Sequence, residues 1–143
     1  MTQVDRSALV LHTAEQMFDL INDVEKYPEF LPWCAKTEIV SQTENELVAT
    51  LYLSKGGLKY NFTTRNTLSR PNRMVLELEE GPFSSLKGVW DFKPLSDEAC
   101  KVSVNLQFEF SGKIAAFAMG KVFNQVATTL VDSFVQRAEQ IYS

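Results

Sequence analysis

The chain has 143 residues, of which 45% are hydrophobic and 22% charged, and its formal net charge is −4. This composition is that of a globular protein and excludes a disordered chain. Residues 1–143 are predicted to form a single domain, since the length falls within the usual size range. The acidic balance disfavours binding to DNA, which depends mainly on basic side chains.

The N-terminal segment and the two cysteines indicate a cytoplasmic protein. Acidic and polar side chains occur where a signal peptide needs an apolar stretch. No run approaches about 18 uninterrupted apolar residues, so no transmembrane segment is expected. Cys34 and Cys100 are too few for a disulfide scaffold and are not spaced as zinc ligands. We therefore expect free thiols and no metal site.

The first elements predicted are a strand and two short helices. Apolar and polar residues alternate from residue 3 to residue 10, as in a half-buried strand. Thr13 is a plausible N-cap, and Gln16 three residues later completes a capping box. Pro28 and Pro32 then forbid one long helix and indicate a second short helix or a turn.

The middle of the chain predicts an antiparallel sheet. Apolar and polar residues alternate with period two from residue 37 to residue 110, which is typical of strands with one buried face. Turn signals at short intervals favour a continuous meander. These signals are Gly56-Gly57, Pro71-Asn72, Gly81-Pro82 and Ser96-Asp97.

The last part of the chain predicts one long helix from residue 113 to residue 142, without proline. Its apolar residues recur at helical spacing in two stripes, which predicts burial over a wide arc. The first stripe is Ile114, Ala118, Val122, Val126, Leu130, Phe134, Ala138 and Ile141, and the second is Phe123, Ala127, Val131 and Val135. We expect this helix, about 45 Å long, to lie in the concavity of the sheet.

The sequence offers little for catalysis. His12 is the only histidine, and general acid–base chemistry needs a positioned partner, so a surface or capping role is favoured. No nucleophile motif and no glycine-rich phosphate loop occurs. We therefore expect a non-enzymatic protein that requires no cofactor.

Two segments are unusually dense in apolar side chains. Residues 27–34 hold two prolines and three aromatic residues, which fits either a hydrophobic plug or a lid over a ligand cavity. Residues 81–90 place Gly88 on the same strand face as Trp90, where a small residue leaves room for a ligand or for the helix. Both interpretations of each segment stay open at this point.

These segments, with Phe62 to Asn66 and residues 134–138, resemble the coenzyme-Q-binding branch of the START-like (polyketide cyclase and lipid transport) superfamily. The resemblance spans nearly the whole chain. It implies an α+β helix-grip fold in which a strand, two short helices and six further strands precede the long helix. The seven-stranded curved antiparallel sheet would then surround the C-terminal helix and enclose a cavity.

The resemblance implies two different functions. Some bacterial members bind the large ribosomal subunit and hinder its association with the small one, whereas eukaryotic members bind coenzyme Q (ubiquinone) and support respiration. Fold alone does not choose between them. The working surface is accordingly either the cavity or the outer face.

Candidate residues follow for each surface. Lys59, Arg65 and Arg73 share the polar phase of their strands and are candidates for one exposed basic patch, although a solvated sheet face is the alternative. The candidate cavity walls are Leu31, Trp33, Leu51, Phe62, Leu76, Phe83, Trp90, Phe108, Phe117, Val122 and Phe123.

Overall fold

The computed structural model describes residues 2–142 and shows a seven-stranded antiparallel sheet curved around a 30-residue helix. The elements in chain order are β1 (Thr2–Val10), α1 (Ala14–Asn22), a 3₁₀ helix (Val24–Glu29), β2 (Cys34–Gln42), β3 (Glu46–Lys55), β4 (Leu58–Ser69), β5 (Arg73–Glu80), β6 (Phe83–Ser96), β7 (Ala99–Phe110) and α2 (Lys113–Tyr142).

The strand order is β1-β7-β6-β5-β4-β3-β2, and all neighbouring strands pair antiparallel. Strands β2 to β7 form the predicted meander, and the two helical segments carry the chain from β1 at one edge to β2 at the other. The helix-grip fold expected from the sequence is confirmed.

The start of α1 is fixed by the predicted capping box. The Thr13 hydroxyl oxygen accepts from the Gln16 backbone N–H at 3.1 Å, and the Gln16 side-chain oxygen accepts from the Thr13 N–H at 2.9 Å. Two backbone donors at the helix start are thereby satisfied.

Replacement of this cap tests its contribution to stability. Thr13→Ala is expected to lower the free energy of unfolding by about 1 kcal/mol, because it removes the acceptor for the Gln16 N–H. Thr13→Ser keeps that acceptor and is the matched control. Urea unfolding followed by circular dichroism measures both, and equal midpoints for the two variants would contradict the prediction.

The inner face of the sheet and the buried side of α2 form one apolar core. The alternation predicted for β6 and β7 is confirmed, since the buried residues there include Leu86, Trp90, Phe92, Val102, Val104, Leu106, Phe108 and Phe110. The Phe123 ring of α2 packs against Phe108 with 4.7 Å between ring centroids and against Phe83 with 5.0 Å. The middle of the long helix therefore packs directly on the inner face of the sheet.

The first turns of α2 are less buried than expected, and only Ala115 and Met119 among residues 113–119 pack against the core. Ile114 is 87% exposed and Phe117 is 92% exposed. Ala116 precedes Phe134 by 18 residues, or about five helical turns, and so faces the same direction, yet Ala116 is exposed and Phe134 buried. Residues 113–119 are therefore mostly exposed, and this segment is named here the α2 overhang.

The N-terminal part of the first predicted apolar stripe of α2 is exposed rather than buried, for a geometric reason. A repeat of four residues advances about 40° beyond a full turn, so Ile114 and Val126 point roughly 120° apart. Val126 is buried, whereas Ile114 and Ala118 are exposed. An apolar stripe at this spacing winds around the helix instead of following one face.

Within residues 2–142, α2 is the one helix whose length and apolar content would suffice to cross a membrane. No transmembrane segment was expected from the sequence because none of its uninterrupted apolar runs is long enough. A core helix satisfies the same criteria, and the later turns of α2 bury Val131, Phe134 and Ala138 against the sheet.

Candidate functional site

A cavity of about 80 Å³ lies between the inner face of the sheet and α2. Its walls are apolar apart from a few groups, and they come from the 3₁₀ helix, the sheet and the middle of α2. The lining residues are Val24, Tyr27, Trp33, Ala49, Leu51, Phe62, Thr64, Asn66, Leu76, Leu86, Gly88, Trp90, Val104, Leu106, Phe123, Val126, Ala127, Leu130 and Phe134.

Six of the predicted wall residues line this cavity. They are Trp33, Leu51, Phe62, Leu76, Trp90 and Phe123. Leu31, Phe83, Phe108 and Val122 instead pack within or against the core outside it. Phe117 is 92% exposed on the α2 overhang and is therefore not a wall residue.

A polar pair in the cavity was missed by the sequence analysis. Thr64 and Asn66 are buried, and the Thr64 hydroxyl donates to Asn66 Oδ1 at 2.9 Å. Asn66 is only 5% exposed and lines the cavity. The alternation along β4 from Phe62 put both residues on the inner face and was the available signal.

Gly88 does not leave the free space that its size suggested. A Cβ atom at this position would lie 2.9 Å from Leu106 Cδ1, so the Leu106 side chain already occupies the room beside the strand. Gly88 lines the cavity through its backbone. The glycine therefore permits close packing between β6 and β7 at the cavity wall.

Tyr27 closes one side of the cavity. Its hydroxyl donates to the Ile21 carbonyl, and its ring packs on Phe134 with 5.4 Å between centroids. Burial, followed by the neighbouring Cys34 thiol and Asp23 carboxylate, raises the pKa of the Tyr27 phenol far above its ordinary value. The phenol thus stays protonated and serves as a wall and a structural donor.

The segment after Tyr27 is fastened to α2 from outside. Arg137 Nη2 donates to Glu29 Oε1 at 2.9 Å, and the guanidinium lies 5.0 Å from the centroid of the Phe30 ring. Trp33, further along, lines the cavity and is buried. Residues 27–34 therefore form a cavity wall anchored to the helix.

The predicted basic residues do not form one patch. Arg73 pairs across the strands with Ser69, ten residues along β4 from Lys59, so the two positions are about 33 Å apart. Arg65 forms ion pairs with Glu46 and Glu79, and Arg73 pairs with Asp91 at 2.8 Å. All three residues are exposed, but both arginines are neutralised by carboxylates.

His12 is buried, whereas the sequence analysis favoured a surface or capping role for it. The imidazole Nε2 lies 3.3 Å from Glu139 Oε1, and its ring lies 5.7 Å from that of Tyr142. His12 does not line the cavity. It fastens the loop after β1 to the end of α2.

The two cysteines are free, as predicted, and both are buried. Burial raises the pKa of the Cys34 thiol from 9.0 to about 11 and also raises that of Cys100. A shift from 9.0 to about 11 lowers the thiolate fraction near pH 8 about a hundredfold, and the thiolate is the reactive form.

We therefore expect slow thiol labelling of the native protein. At pH 8 a disulfide reagent should modify Cys34 at least about a hundredfold more slowly than an ordinary free cysteine. The rate should rise with pH as Cys34 approaches its raised pKa, and unfolding in guanidinium should restore fast labelling. A Cys100→Ala variant isolates the Cys34 signal, and rapid native labelling would contradict the expectation.

Residues 10–135 match the family described as polyketide cyclase / dehydrase and lipid transport, and the chain belongs to that family. The fold agrees: an aromatase/cyclase from Streptomyces sp. R1128 superposes with a TM-score of 0.85, covering 99% of this chain and 96% of that one, at 18% sequence identity.

Bacterial relatives are similar over their full length. The ribosome association toxin RatA of Vibrio cholerae is 47% identical over 99% of both chains, and that of Pseudomonas aeruginosa is 45% identical over 99% of this chain and 98% of the relative. A mitochondrial coenzyme Q-binding protein of Drosophila melanogaster is more distant, at 24% identity over 94% of this chain and 57% of the relative.

Proposed function

We propose that the protein binds the large ribosomal subunit in the cytoplasm and hinders its association with the small subunit. The observation that carries this proposal is the identity of up to 47%, over 99% of both chains, with a protein named for ribosome association. The 24% identity to the coenzyme Q-binding protein is weaker support for a different role.

The proposed role is non-enzymatic. Tyr27 is the one cavity-lining side chain within the described range that titrates, and its raised pKa keeps the phenol protonated. His12 lies outside the cavity and pairs with Glu139. Both observations favour binding over acid–base catalysis.

Sedimentation with purified subunits tests the proposal. At low salt the protein should move with the large subunit in a sucrose gradient and should stay at the top with the small subunit alone. Added before the subunits are mixed, it should lower the yield of joined ribosomes. A protein that stays at the top of both gradients would contradict the proposal.

A second candidate function is binding of an apolar molecule such as ubiquinone, and the Thr64–Asn66 pair in an otherwise apolar cavity favours it. The Asn66 amide offers a hydrogen-bond donor to a ligand carbonyl in the cavity. The surrounding walls, including Trp90 and Phe123, suit an apolar ring.

The size of the cavity limits this second role. A dry cavity that holds benzene has a volume of about 150 Å³, whereas this one has about 80 Å³. A quinone ring therefore enters only if α2 or residues 27–34 move outward.

Solvent extraction and native mass spectrometry test the second role. Protein purified from cells should carry a quinone or a smaller apolar carbonyl compound, and Ala127→Leu, which fills the cavity from α2, should lose it. A mass equal to that of the bare chain in both proteins would contradict ligand binding.

A further inference from the structure

One end of the molecule brings together the start of α2 and the tip of the β3–β4 hairpin. β3 ends at Lys55, β4 begins at Leu58 and β7 ends at Phe110. The antiparallel register puts these strand ends at the same end of the sheet. The Tyr60 ring of the hairpin lies 6.5 Å from the Phe110 ring. Because α2 begins three residues after Phe110, the α2 overhang starts at this same end of the sheet.

This end of the molecule carries four exposed lysines. They are Lys55 and Lys59 on the hairpin and Lys113 and Lys121 on α2, and in the described part of the chain none of them forms an ion pair. We name these lysines, together with Ile114 and Phe117, the cationic rim.

The cationic rim is positive although the whole chain is acidic. Glu80 ends β5 and Glu109 is the second-last residue of β7 at this end of the sheet, and no acidic residue occurs between Glu109 and Asp132. Carboxylates gather at the opposite end, at Glu15, Asp19, Glu44, Asp97 and Glu98. An anionic partner therefore approaches this protein most favourably by the cationic rim.

Three exposed arginines elsewhere, Arg65, Arg70 and Arg73, do not offer an equivalent surface. Arg70 donates two hydrogen bonds to Asp19, both at 2.8 Å, and Arg65 and Arg73 are likewise bonded to carboxylates. A phosphate group would have to displace these acids first, whereas the rim lysines are unengaged.

The rim also exposes apolar side chains that the fold does not use. Phe117 and Ile114 are the large exposed hydrophobic residues of the α2 overhang, at 92% and 87%. Unpaired RNA bases stack on exposed aromatic rings while lysines contact the phosphates. Two large side chains are little apolar area for a helix that lies in a membrane surface.

We propose that the cationic rim is the surface by which this protein contacts ribosomal RNA, with the lysines on phosphates and Phe117 stacked on an unpaired base. This inference rests on the proposed ribosome binding and adds the location and the chemistry of the contact.

Charge-matched variants test the rim. Lys113→Gln with Lys121→Gln should weaken binding to the large subunit at least about tenfold and lower the slope of log affinity against log salt by about 2, or about 1 for each phosphate contact. Lys93→Gln with Lys101→Gln, which face each other in β6 and β7 near the opposite end, make the same charge change outside the rim and should bind as wild type.

A second pair of variants tests the aromatic contact. Phe117→Ala should weaken binding between about fivefold and a hundredfold, which is the range for loss of one base–aromatic stack. Leu95→Ala is the control, since Leu95 is 51% exposed near the other end of the molecule. Thermal unfolding of every variant should match wild type, so that binding losses are not losses of folding.

The outcomes separate the rim from the proposed function. Wild-type binding that is lost only in rim variants supports the inference. Wild-type binding that persists in all variants overturns the rim and leaves ribosome association standing. Absence of wild-type binding overturns ribosome association itself. If wild type instead floats with phosphatidylglycerol vesicles through Phe117 and ignores subunits, the rim is a membrane contact and the RNA inference is overturned.

Discussion

Phe134→Ala is expected to lower the free energy of unfolding by about 3–5 kcal/mol, because it removes a large buried side chain and leaves a cavity. Phe134 is 1% exposed and is the point where α2 meets Tyr27, Phe30 and Trp90, with ring centroids 5.4 to 5.6 Å apart. A loss of this size would shift the melting temperature by roughly 10–20 °C in a chain of this length.

The same substitution on the α2 overhang is the matched control. Phe117→Ala changes the same side chain on the same helix, but its ring is 92% exposed. Its effect on the free energy of unfolding should stay within about 0.5 kcal/mol. Calorimetry of both variants measures the contrast, and comparable losses would mean that the overhang packs against something in solution.

Replacing both members of the polar pair in the cavity should stabilise the fold. Thr64→Val with Asn66→Leu removes both hydrogen-bonded partners together, and apolar replacement of both partners is typically neutral or favourable. We expect the free energy of unfolding to rise by about 1 kcal/mol, partly because the leucine fills the cavity.

Removing only one member should have the opposite sign. Asn66→Ala leaves the Thr64 hydroxyl without its acceptor and should cost about 1–3 kcal/mol. Guanidinium unfolding compares the three proteins. If the double variant is as unstable as Asn66→Ala, the prediction is contradicted: the polar pair then contributes to the stability of the fold, and the argument for its role in ligand binding is weakened.

The contrast between these variants also bears on function. Selection for ligand binding retains polar groups in an apolar cavity even where they lower stability, and Thr64 and Asn66 fit this description. The double variant should therefore be more stable and should also fail to retain any carbonyl ligand found with the wild-type protein.

Local patterns predicted most of the fold because each pattern has one physical cause. Alternation in β7 requires one buried face, and Val102, Val104 and Phe108 are buried accordingly. The capping box of Thr13 and Gln16 depends on residues three apart and needs no tertiary information. Such features are determined by neighbouring residues and are therefore visible in the sequence.

The features that the sequence did not predict depend on which residues are neighbours in the folded chain. Apolar periodicity gives the direction of Phe117 but not whether a strand lies beneath it. The ion pairs of Arg65 join residues on three strands, and that register is not written in any one segment. Thr64 and Asn66 lie in the inner phase of β4, but polar residues in that phase do not by themselves indicate a cavity.

The uneven fastening of α2 has a consequence for local unfolding. Its last turns are tied by Arg137 to Glu29, by His12 to Glu139 and by the Tyr142 hydroxyl, which donates to the Gln16 carbonyl at 3.1 Å. The α2 overhang has no comparable tie among residues 2–142. Amide hydrogen exchange should therefore show a gradient along one continuous helix, fast over residues 113–119 and close to the global rate beyond Phe123.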